Sequence, residues 1–215
     1  MRYADLSHTV AIVPVRSLSG AKTRLGEPLD PEEREEFVLA LLGRTVEAAL
    51  AANRLAGVVV VSMDDDLLDL ARQMGAATLL QETSGLNEGL EEARYAVAAE
   101  ATAIVILPAD LPGVAASAID RLAEAAELAA REAPERAVVV LVPDRHGRGT
   151  NALLLSPPDA IPFCFGEDSR ESHETAANLV QATYLELDGP LSFDVDTAED
   201  LLEADRLGLD HQAGR

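Results

Sequence analysis

Cysteine, lysine and aromatic residues are scarce in this chain. Cys164 is the only cysteine among 215 residues, which excludes an intrachain disulfide and a metal site built from several cysteines. Aromatic residues make up 3% of a sequence that is 48% hydrophobic, so we expect Ala, Leu and Val to fill the core. The length is sufficient for one domain with a substantial core. We therefore assign residues 1–215 to a single domain, with a frayed tail at 210–215.

Long apolar runs and basic surface charge are also missing. No hydrophobic segment approaches the roughly 20 residues that cross a membrane, and the N-terminus lacks the layout of a signal peptide, so we expect a cytoplasmic protein. The formal net charge of −21 argues against binding to nucleic acid or to anionic membranes. Salt adaptation is another explanation of this acidity, which the sequence leaves open. The sequence also leaves the oligomeric state open, and a homodimer is one possibility.

Apolar runs alternate with segments of helical periodicity, which predicts an α/β fold. The predicted strands are 9–15, 58–61, 77–80, 103–107, 137–142, 152–155 and 182–187. The predicted helices are 31–52, 64–74, 87–99, 115–131, 169–180 and 198–207, with a short extended piece at 193–197. Strands that alternate with helices need crossover connections, so we expect a mainly parallel mixed sheet with helices on both faces.

The loop after the first strand concentrates positive charge. Arg16, Lys22 and Arg24 lie close together there, with Gly20 between them for flexibility. Lys22 is the only lysine of the chain, which suggests a task for a compact ammonium group, and neutralising phosphate is such a task. The loop follows the carboxyl end of a strand, where open α/β sheets bind ligands. We favour a phosphate-binding loop over a chance surface lysine.

Three aspartates form a candidate metal site. Asp110 follows a buried strand, whereas Asp194 and Asp196 lie two residues apart in an extended segment and so point to the same side. Carboxylates that close repel each other unless a cation lies between them. Such hard oxygen ligands suit Mg²⁺ or Mn²⁺ and disfavour zinc. Capping of the following helices by Asp110, Asp196 or Thr197 is the alternative.

Two further segments carry groups that could hold an anion. Residues 147–151 (Gly-Arg-Gly-Thr-Asn) offer flexible backbone, a cation and polar side chains, with an ordinary hairpin as the alternative. Residues 165–169 resemble a helix start with Ser169 as the cap, where nearby N–H groups could face a phosphate or carboxylate. By itself, plain capping is the better interpretation there, and Asn87 is a candidate cap for the helix that extends to 99. His173 is interpreted as a structural histidine rather than a base.

In this order, these segments resemble a known family, the 2-phospho-L-lactate / phosphoenolpyruvate guanylyltransferases of deazaflavin coenzyme F-420 biosynthesis. The resemblance covers nearly the whole chain. The segments that carry it are 13–16, 21–25, 86–87, 107–112, 143–145, 149–154, 165–166 with Ser169 and His173, and 194–197. The stretches KTRL and GTNALL are fairly specific to this family. The acidic segments recur across nucleotidyltransferase and glycosyltransferase-A-like folds.

The resemblance implies a three-layer αβα sandwich of the glycosyltransferase-A-like nucleotidyltransferase type. The implied reaction joins the GMP moiety of GTP to phosphoenolpyruvate, giving enolpyruvyl-2-diphospho-5'-guanosine and pyrophosphate. The same reaction on 2-phospho-L-lactate, giving lactyl-2-diphospho-5'-guanosine, is the alternative. Another sugar-phosphate or molybdopterin nucleotidyltransferase is a weaker one.

Roles for individual residues follow from the resemblance together with the patterns above. Lys22, helped by Arg16 and Arg24, would stabilise charge on the departing pyrophosphate. Mg²⁺ or Mn²⁺ would be held by Asp110, Asp194 and Asp196. GTP would contact Pro14, Val15, Arg16, Ser62 and Asn87, and the phosphorylated acid would contact Thr150, Gly166 and Ser169. The family's usual Gly-Pro-x-Ser element reads Gly-Glu-Asp-Ser at 166–169, and we expect the two added carboxylates to weaken or retune binding of an anionic substrate.

Overall fold

Strands and helices alternate in the computed structural model as the sequence predicts; it describes residues 4–16, 30–195 and 197–206. The strands are β1 (Thr9–Pro14), β2 (Gly57–Ser62), β3 (Ala77–Leu80), β4 (Ala103–Ile106), β5 (Val138–Pro143), β6 (Thr150–Ser156) and β7 (Thr183–Glu186). The helices are α1 (Pro31–Ala51), α2 (Asp65–Met74), α3 (Leu86–Val97), α4 (Ala116–Glu132), α5 (Ser169–Leu179) and α6 (Ala198–Arg206), with a 3-10 turn at Pro190–Ser192.

The strands of the described segments form one sheet in the order β3-β2-β1-β4-β6-β5-β7. Only β6 runs against its neighbours, so the sheet is mainly parallel, as expected. One edge therefore holds the carboxyl ends of β1, β2 and β4 (Pro14, Ser62 and Ile106) together with the amino end of β6 (Thr150), and we call it the C-terminal edge. β2 and β4 lie on opposite sides of β1, and such a switch point is where open α/β sheets bind ligands.

Helices cover both faces of the sheet. α1, α2 and α4 pack on one face, with Leu68 and Ile119 fully or almost fully buried there. α3 and α5 pack on the other face, where Leu90 is fully buried. Alternate residues of β1 enter the two clusters, Ala11 on the first face and Ile12 on the second, because successive strand side chains point in opposite directions. This is the three-layer αβα architecture that the sequence predicts.

Several element boundaries follow from local sequence. The Asp30 carboxylate accepts a hydrogen bond from the Glu33 N–H, the Glu33 side chain accepts one from the Asp30 N–H, and Pro31 takes the first helical position. Gly75 ends α2 in the left-handed region, at φ +98°. Strand β1 ends at Pro14, which has no N–H to donate. Within the described segments, no helix has both the length and the apolarity that a membrane crossing requires.

Two predicted helix caps are wrong. α3 starts after Gly85, and Asn87 lies inside its first turn with its side chain directed to another segment of the chain. α5 starts at Ser169 itself, and the Ser169 hydroxyl contacts Thr150 rather than an N–H of its own helix. In both cases a tertiary partner binds the side chain that could otherwise have capped the helix.

Candidate active site

The predicted nucleotide-binding residues after β1 lie at the C-terminal edge, beside the switch point. Arg16 is exposed there, whereas Pro14 and Val15 are half-buried. The Val15 N–H donates to the Val61 carbonyl at 3.0 Å, which ties the start of this loop to β2. The predicted phosphate-binding residues Lys22 and Arg24 lie outside the described residues.

Ser62 ends β2 at the same edge and is fully buried. Its Oγ accepts the Asp64 N–H at 3.1 Å, and the Asp64 carboxylate in turn accepts the Asp66 N–H at 3.2 Å to cap α2. The Ser62 side chain therefore helps to start a helix. Its predicted contact with GTP stays a prediction.

The loop after β4 lies against the segment that precedes α6. The Val195 N–H donates to the Asp110 carbonyl at 3.1 Å. Gly113 packs so closely that a Cβ there would lie 2.4 Å from the Pro190 carbonyl oxygen. Asp110 and Asp194 are both half-buried on these adjoining segments. The fold thus brings together two of the three predicted metal ligands, although they are distant in sequence.

The third predicted ligand, Asp196, lies outside the described residues. Among the residues that are described, no group of three or more His, Cys, Asp or Glu side chains is arranged to hold a metal ion. The predicted site therefore stands on the proximity of Asp110 to Asp194 and on the position of Asp196, two residues further along the chain.

Asn151 lies beside the predicted metal site, whereas its sequence context predicts a role in the anion-holding segment 147–151. Its Nδ2 donates to Asp194 Oδ1 at 3.2 Å. Thr150, its neighbour on β6, contacts α5 residues instead, since successive residues of a strand face opposite ways. The first two residues of β6 therefore connect the predicted metal site with the predicted acid site. The signal was present as a polar pair at the start of a buried strand.

Arg145 anchors the segment that carries Asp194. Its guanidinium stacks 4.8 Å from the centre of the Phe193 ring and bonds to the buried carboxylate of Asp200. The Thr197 N–H donates to Asp200 Oδ2 at 2.7 Å, and the Asp200 N–H donates to Thr197 Oγ1 at 3.3 Å. Thr197 thus caps α6, which confirms the alternative interpretation of that residue.

The predicted acid-binding residues belong to a buried polar chain. Thr150 Oγ1 lies 3.2 Å from the Ser169 hydroxyl and 3.1 Å from His173 Nδ1, and all three residues are buried. At the other side of the imidazole, Nε2 accepts the Cys164 N–H at 3.0 Å. Gly166, at φ +137°, makes the turn that leads into α5.

Asn87 holds the backbone beside this chain. Its Nδ2 donates to the Phe165 carbonyl at 3.0 Å, and its Oδ1 accepts the Phe165 N–H at 2.9 Å. The Phe165 ring packs edge-on against His173, with 5.0 Å between ring centres. Asn87 thus fixes the backbone that leads into Gly166. Its predicted contact with the nucleotide is untested.

Burial lowers the pKa of His173 to about 4. The ring is therefore neutral at physiological pH, and both of its nitrogens already have protein partners. A neutral imidazole with no exposed nitrogen does not take a proton from a substrate. These contacts agree with the interpretation that His173 is not a base.

The lowered pKa predicts a pH-dependent stability. Between pH 6.5 and 4 the unfolded state binds a proton at His173 that the folded state excludes. The contribution of His173 to the free energy of unfolding is therefore complete above pH 6.5 and is lost as the pH falls. From pH 7.5 to 5, wild type is expected to lose about 2 kcal/mol of unfolding free energy relative to His173→Gln, which cannot titrate. Urea denaturation of both proteins at each pH measures this difference. A difference that does not change with pH contradicts the prediction.

The loop 144–149 joins the antiparallel strands β5 and β6 as a hairpin, and anion binding by this segment stays a prediction. The Gly147 N–H donates to the Asp144 carbonyl at 3.0 Å, and the Arg148 N–H donates to the Asp144 carboxylate at 2.8 Å. At the start of α5, the Ser169 N–H donates to the Gly166 carbonyl at 3.3 Å and the Arg170 N–H to the Arg148 carbonyl at 3.0 Å. These four backbone donors are occupied by protein oxygens.

The two added carboxylates at 167 and 168 have a partner. Arg148 Nε donates to Asp168 at 2.9 Å, and its NH2 group donates to Glu167 at 3.2 Å. Asp168, and to a smaller extent Glu167, raise the pKa of Arg148. One guanidinium therefore offsets part of the negative charge that the sequence analysis expected to act on an anionic substrate. The expected effect on substrate binding stays a prediction.

Comparison with known proteins identifies the family. Residues 9–213 match a family model described as guanylyl transferase CofC like. A phosphoenolpyruvate guanylyltransferase from Sphaerobacter thermophilus is 43% identical over 198 residues, which covers 91% of each chain. One from Rubrobacter xylanophilus is 44% identical over 202 residues, which covers 92% of this chain and 94% of the relative.

Solved structures share the fold at lower sequence identity. A nucleotidyl transferase from Methanothermobacter thermautotrophicus has a TM-score of 0.68 at 18% identity, with 94% of this chain and 97% of the other covered. A 4-diphosphocytidyl-2C-methyl-D-erythritol synthase from Anaerococcus prevotii has a TM-score of 0.63 at 11% identity, with 96% and 98% covered. Because the family model spans nearly the whole described fold, this chain belongs to the CofC-like guanylyl transferases.

Proposed function

We propose that this protein transfers GMP from GTP to phosphoenolpyruvate. An oxygen of the phosphoenolpyruvate phosphate attacks the α-phosphorus of GTP, the bond from that phosphorus to the oxygen bridging to the β-phosphate breaks, and pyrophosphate leaves. The product is enolpyruvyl-2-diphospho-5'-guanosine. The substrates are carried over from the relatives named as phosphoenolpyruvate guanylyltransferases, which are 43% and 44% identical over most of the chain.

The single observation that supports this chemistry is the meeting of the Asp110 loop and the Asp194 segment at the C-terminal edge. The Val195 N–H to Asp110 carbonyl bond holds these segments together beside the switch point. Two half-buried carboxylates there, with Asp196 nearby in sequence, are a hard-oxygen donor set that fits Mg²⁺ or Mn²⁺. A bound divalent ion would neutralise phosphate charge and orient the two reactants.

The chain's own residues would then position the reactants and neutralise charge. Arg16 lies exposed after β1, where GTP phosphates are proposed to bind. Lys22, helped by Arg16 and Arg24, would stabilise the negative charge that develops on the departing pyrophosphate. Asn151 orients the Asp194 carboxylate by donating to Oδ1. The attacking phosphate oxygen is already ionised at neutral pH, so the reaction needs no general base. A reaction without a general base is compatible with a His173 side chain that is neutral and buried.

A product assay tests the proposed function directly. Purified protein is incubated with GTP, MgCl₂ and either phosphoenolpyruvate or 2-phospho-L-lactate, and pyrophosphate release is measured together with the mass of the product. We expect release that depends on both GTP and phosphoenolpyruvate, with kcat/KM at least roughly 10-fold higher for phosphoenolpyruvate than for 2-phospho-L-lactate, since a shaped site discriminates such analogues by about this factor. ATP in place of GTP serves as the matched nucleotide control.

Two outcomes contradict the proposal. Preferential turnover of 2-phospho-L-lactate would assign the alternative acid within the same reaction. Turnover of a sugar phosphate, with no product from either three-carbon acid, would assign the chain to another nucleotidyltransferase activity.

A further inference from the structure

We propose that His173 is a positioning residue that directs a hydroxyl proton of the Thr150–Ser169 pair toward an acceptor oxygen of the acid substrate. The inference rests on the proposed function for the identity of that substrate. It rests on the hydrogen-bond geometry around His173 for the direction of the proton. His173 touches no reactant and acts through Thr150.

The Cys164 backbone fixes the tautomer of His173. A backbone N–H is only a donor, and the Cys164 N–H points at His173 Nε2 from 3.0 Å. Nε2 must therefore present its lone pair, and the neutral ring carries its proton on Nδ1. The Asn87 amide holds the adjoining Phe165 backbone through two hydrogen bonds, so the Cys164 N–H cannot easily turn away.

The tautomer of His173 determines that the Thr150 hydroxyl accepts, rather than donates, the hydrogen bond between them. With its proton on Nδ1, His173 donates to Thr150 Oγ1 across 3.1 Å, so Thr150 cannot send its own proton to the imidazole. The Thr150 and Ser169 hydroxyls are 3.2 Å apart and share one hydrogen bond. That bond uses only one of their two protons. Among the described residues, neither hydroxyl has a further hydrogen-bond acceptor, so one proton is left for a group from outside the chain.

The position of the pair determines which group can accept that proton. Thr150 begins β6 at the C-terminal edge and is 8% exposed, whereas Ser169 is 1% exposed. The nearby N–H groups of Ser169 and Arg170 already donate to protein carbonyls. A ligand that reaches Thr150 meets a hydroxyl donor, which selects an acceptor oxygen such as that of a carboxylate or a phosphate. A phosphorylated three-carbon acid carries both kinds of oxygen.

Two substitutions of His173 separate positioning from packing. In His173→Asn the amide nitrogen takes the place of Nδ1 and can still donate to Thr150. In His173→Gln the amide oxygen takes the place of Nε2 and can still accept the Cys164 N–H, but the donor to Thr150 is lost. We expect His173→Gln to raise the KM for phosphoenolpyruvate by about 10-fold or more with the KM for GTP changed less than about 2-fold, because a hydrogen bond to a charged group is weakened.

His173→Asn is the matched control, and its KM for phosphoenolpyruvate is expected to stay within about 3-fold of wild type, because the donor is retained. Equal KM values for phosphoenolpyruvate in the two variants, or equal changes in the KM for both substrates, would overturn the proposal in favour of a packing role. Nitrogen-15 NMR of the wild-type imidazole gives a second measurement that does not require activity. A proton on Nδ1 supports the proposal, and a proton on Nε2 overturns it.

This design also distinguishes failure of the inference from failure of the proposed function. If the wild-type protein does not use phosphoenolpyruvate, the proposed function fails, while the tautomer measurement still decides whether His173 donates to Thr150. If phosphoenolpyruvate is used and the two variants behave alike, the inference alone fails.

Discussion

Asp110→Asn is expected to lower kcat for GMP transfer by about 10³-fold, because it removes one negative ligand from a site whose task is to balance phosphate charge. The substitution keeps the shape of the side chain, and the Asp110 backbone carbonyl that accepts the Val195 N–H is unchanged. The loss should therefore appear in catalysis and metal affinity while the fold persists. Pyrophosphate release measures the first, and titration with Mn²⁺ followed by electron paramagnetic resonance measures the second.

The control for this prediction is Glu100→Gln. Glu100 is exposed and precedes β4, at the opposite edge of the sheet from Asp110, so the change removes the same charge far from the predicted site. We expect its kcat and Mn²⁺ affinity to equal those of wild type. Unchanged Mn²⁺ affinity in Asp110→Asn would remove Asp110 from the metal site, whatever happens to kcat.

The architecture could be predicted because its signals are local. Each central strand is an apolar run that is buried on both faces, and β3 occurs at 77–80 as predicted. The start of α1 could be read from Asp30 and Pro31 alone. Asn87 and Ser169 show where this reasoning stops. Both residue types favour caps, but a distant partner, the Phe165 backbone in one case and Thr150 in the other, binds the side chain instead.

For the candidate site, the sequence predicts which loops lie at the same edge of the sheet, because this depends on strand order alone. Parallel strands place their carboxyl ends at one edge, so the proximity of the Arg16 and Asp110 loops follows from strand order. The contacts of Asn151 and His173 do not follow from it. They depend on the reversed direction of β6, which puts its amino end at the same edge and directs Thr150 and Asn151 to opposite faces. A one-residue change in that register would exchange the two partners.

The three cations of the first loop, Arg16, Lys22 and Arg24, have unequal roles in the proposed reaction, and substitution of Lys22 should have the greatest effect. Lys22→Ala is expected to lower kcat by about 10²-fold or more, because charge that develops on the leaving pyrophosphate loses a preorganised partner. The KM for phosphoenolpyruvate should change by less than about 3-fold, since an interaction made mainly in the transition state lowers kcat rather than ground-state binding. Steady-state pyrophosphate release at varied substrate concentrations separates the two constants.

Lys22→Arg tests whether charge alone is sufficient. It keeps the positive charge but replaces a compact ammonium with a planar guanidinium, so we expect only partial recovery of kcat. Arg131→Ala, at the exposed carboxyl-terminal end of α4, removes a positive charge elsewhere and should leave kcat at the wild-type value. Full activity of Lys22→Arg would mean that the reaction needs only a positive charge at this position. Full activity of Lys22→Ala would exclude the only lysine of the chain from catalysis and leave the developing charge to Arg16, Arg24 and the divalent ion.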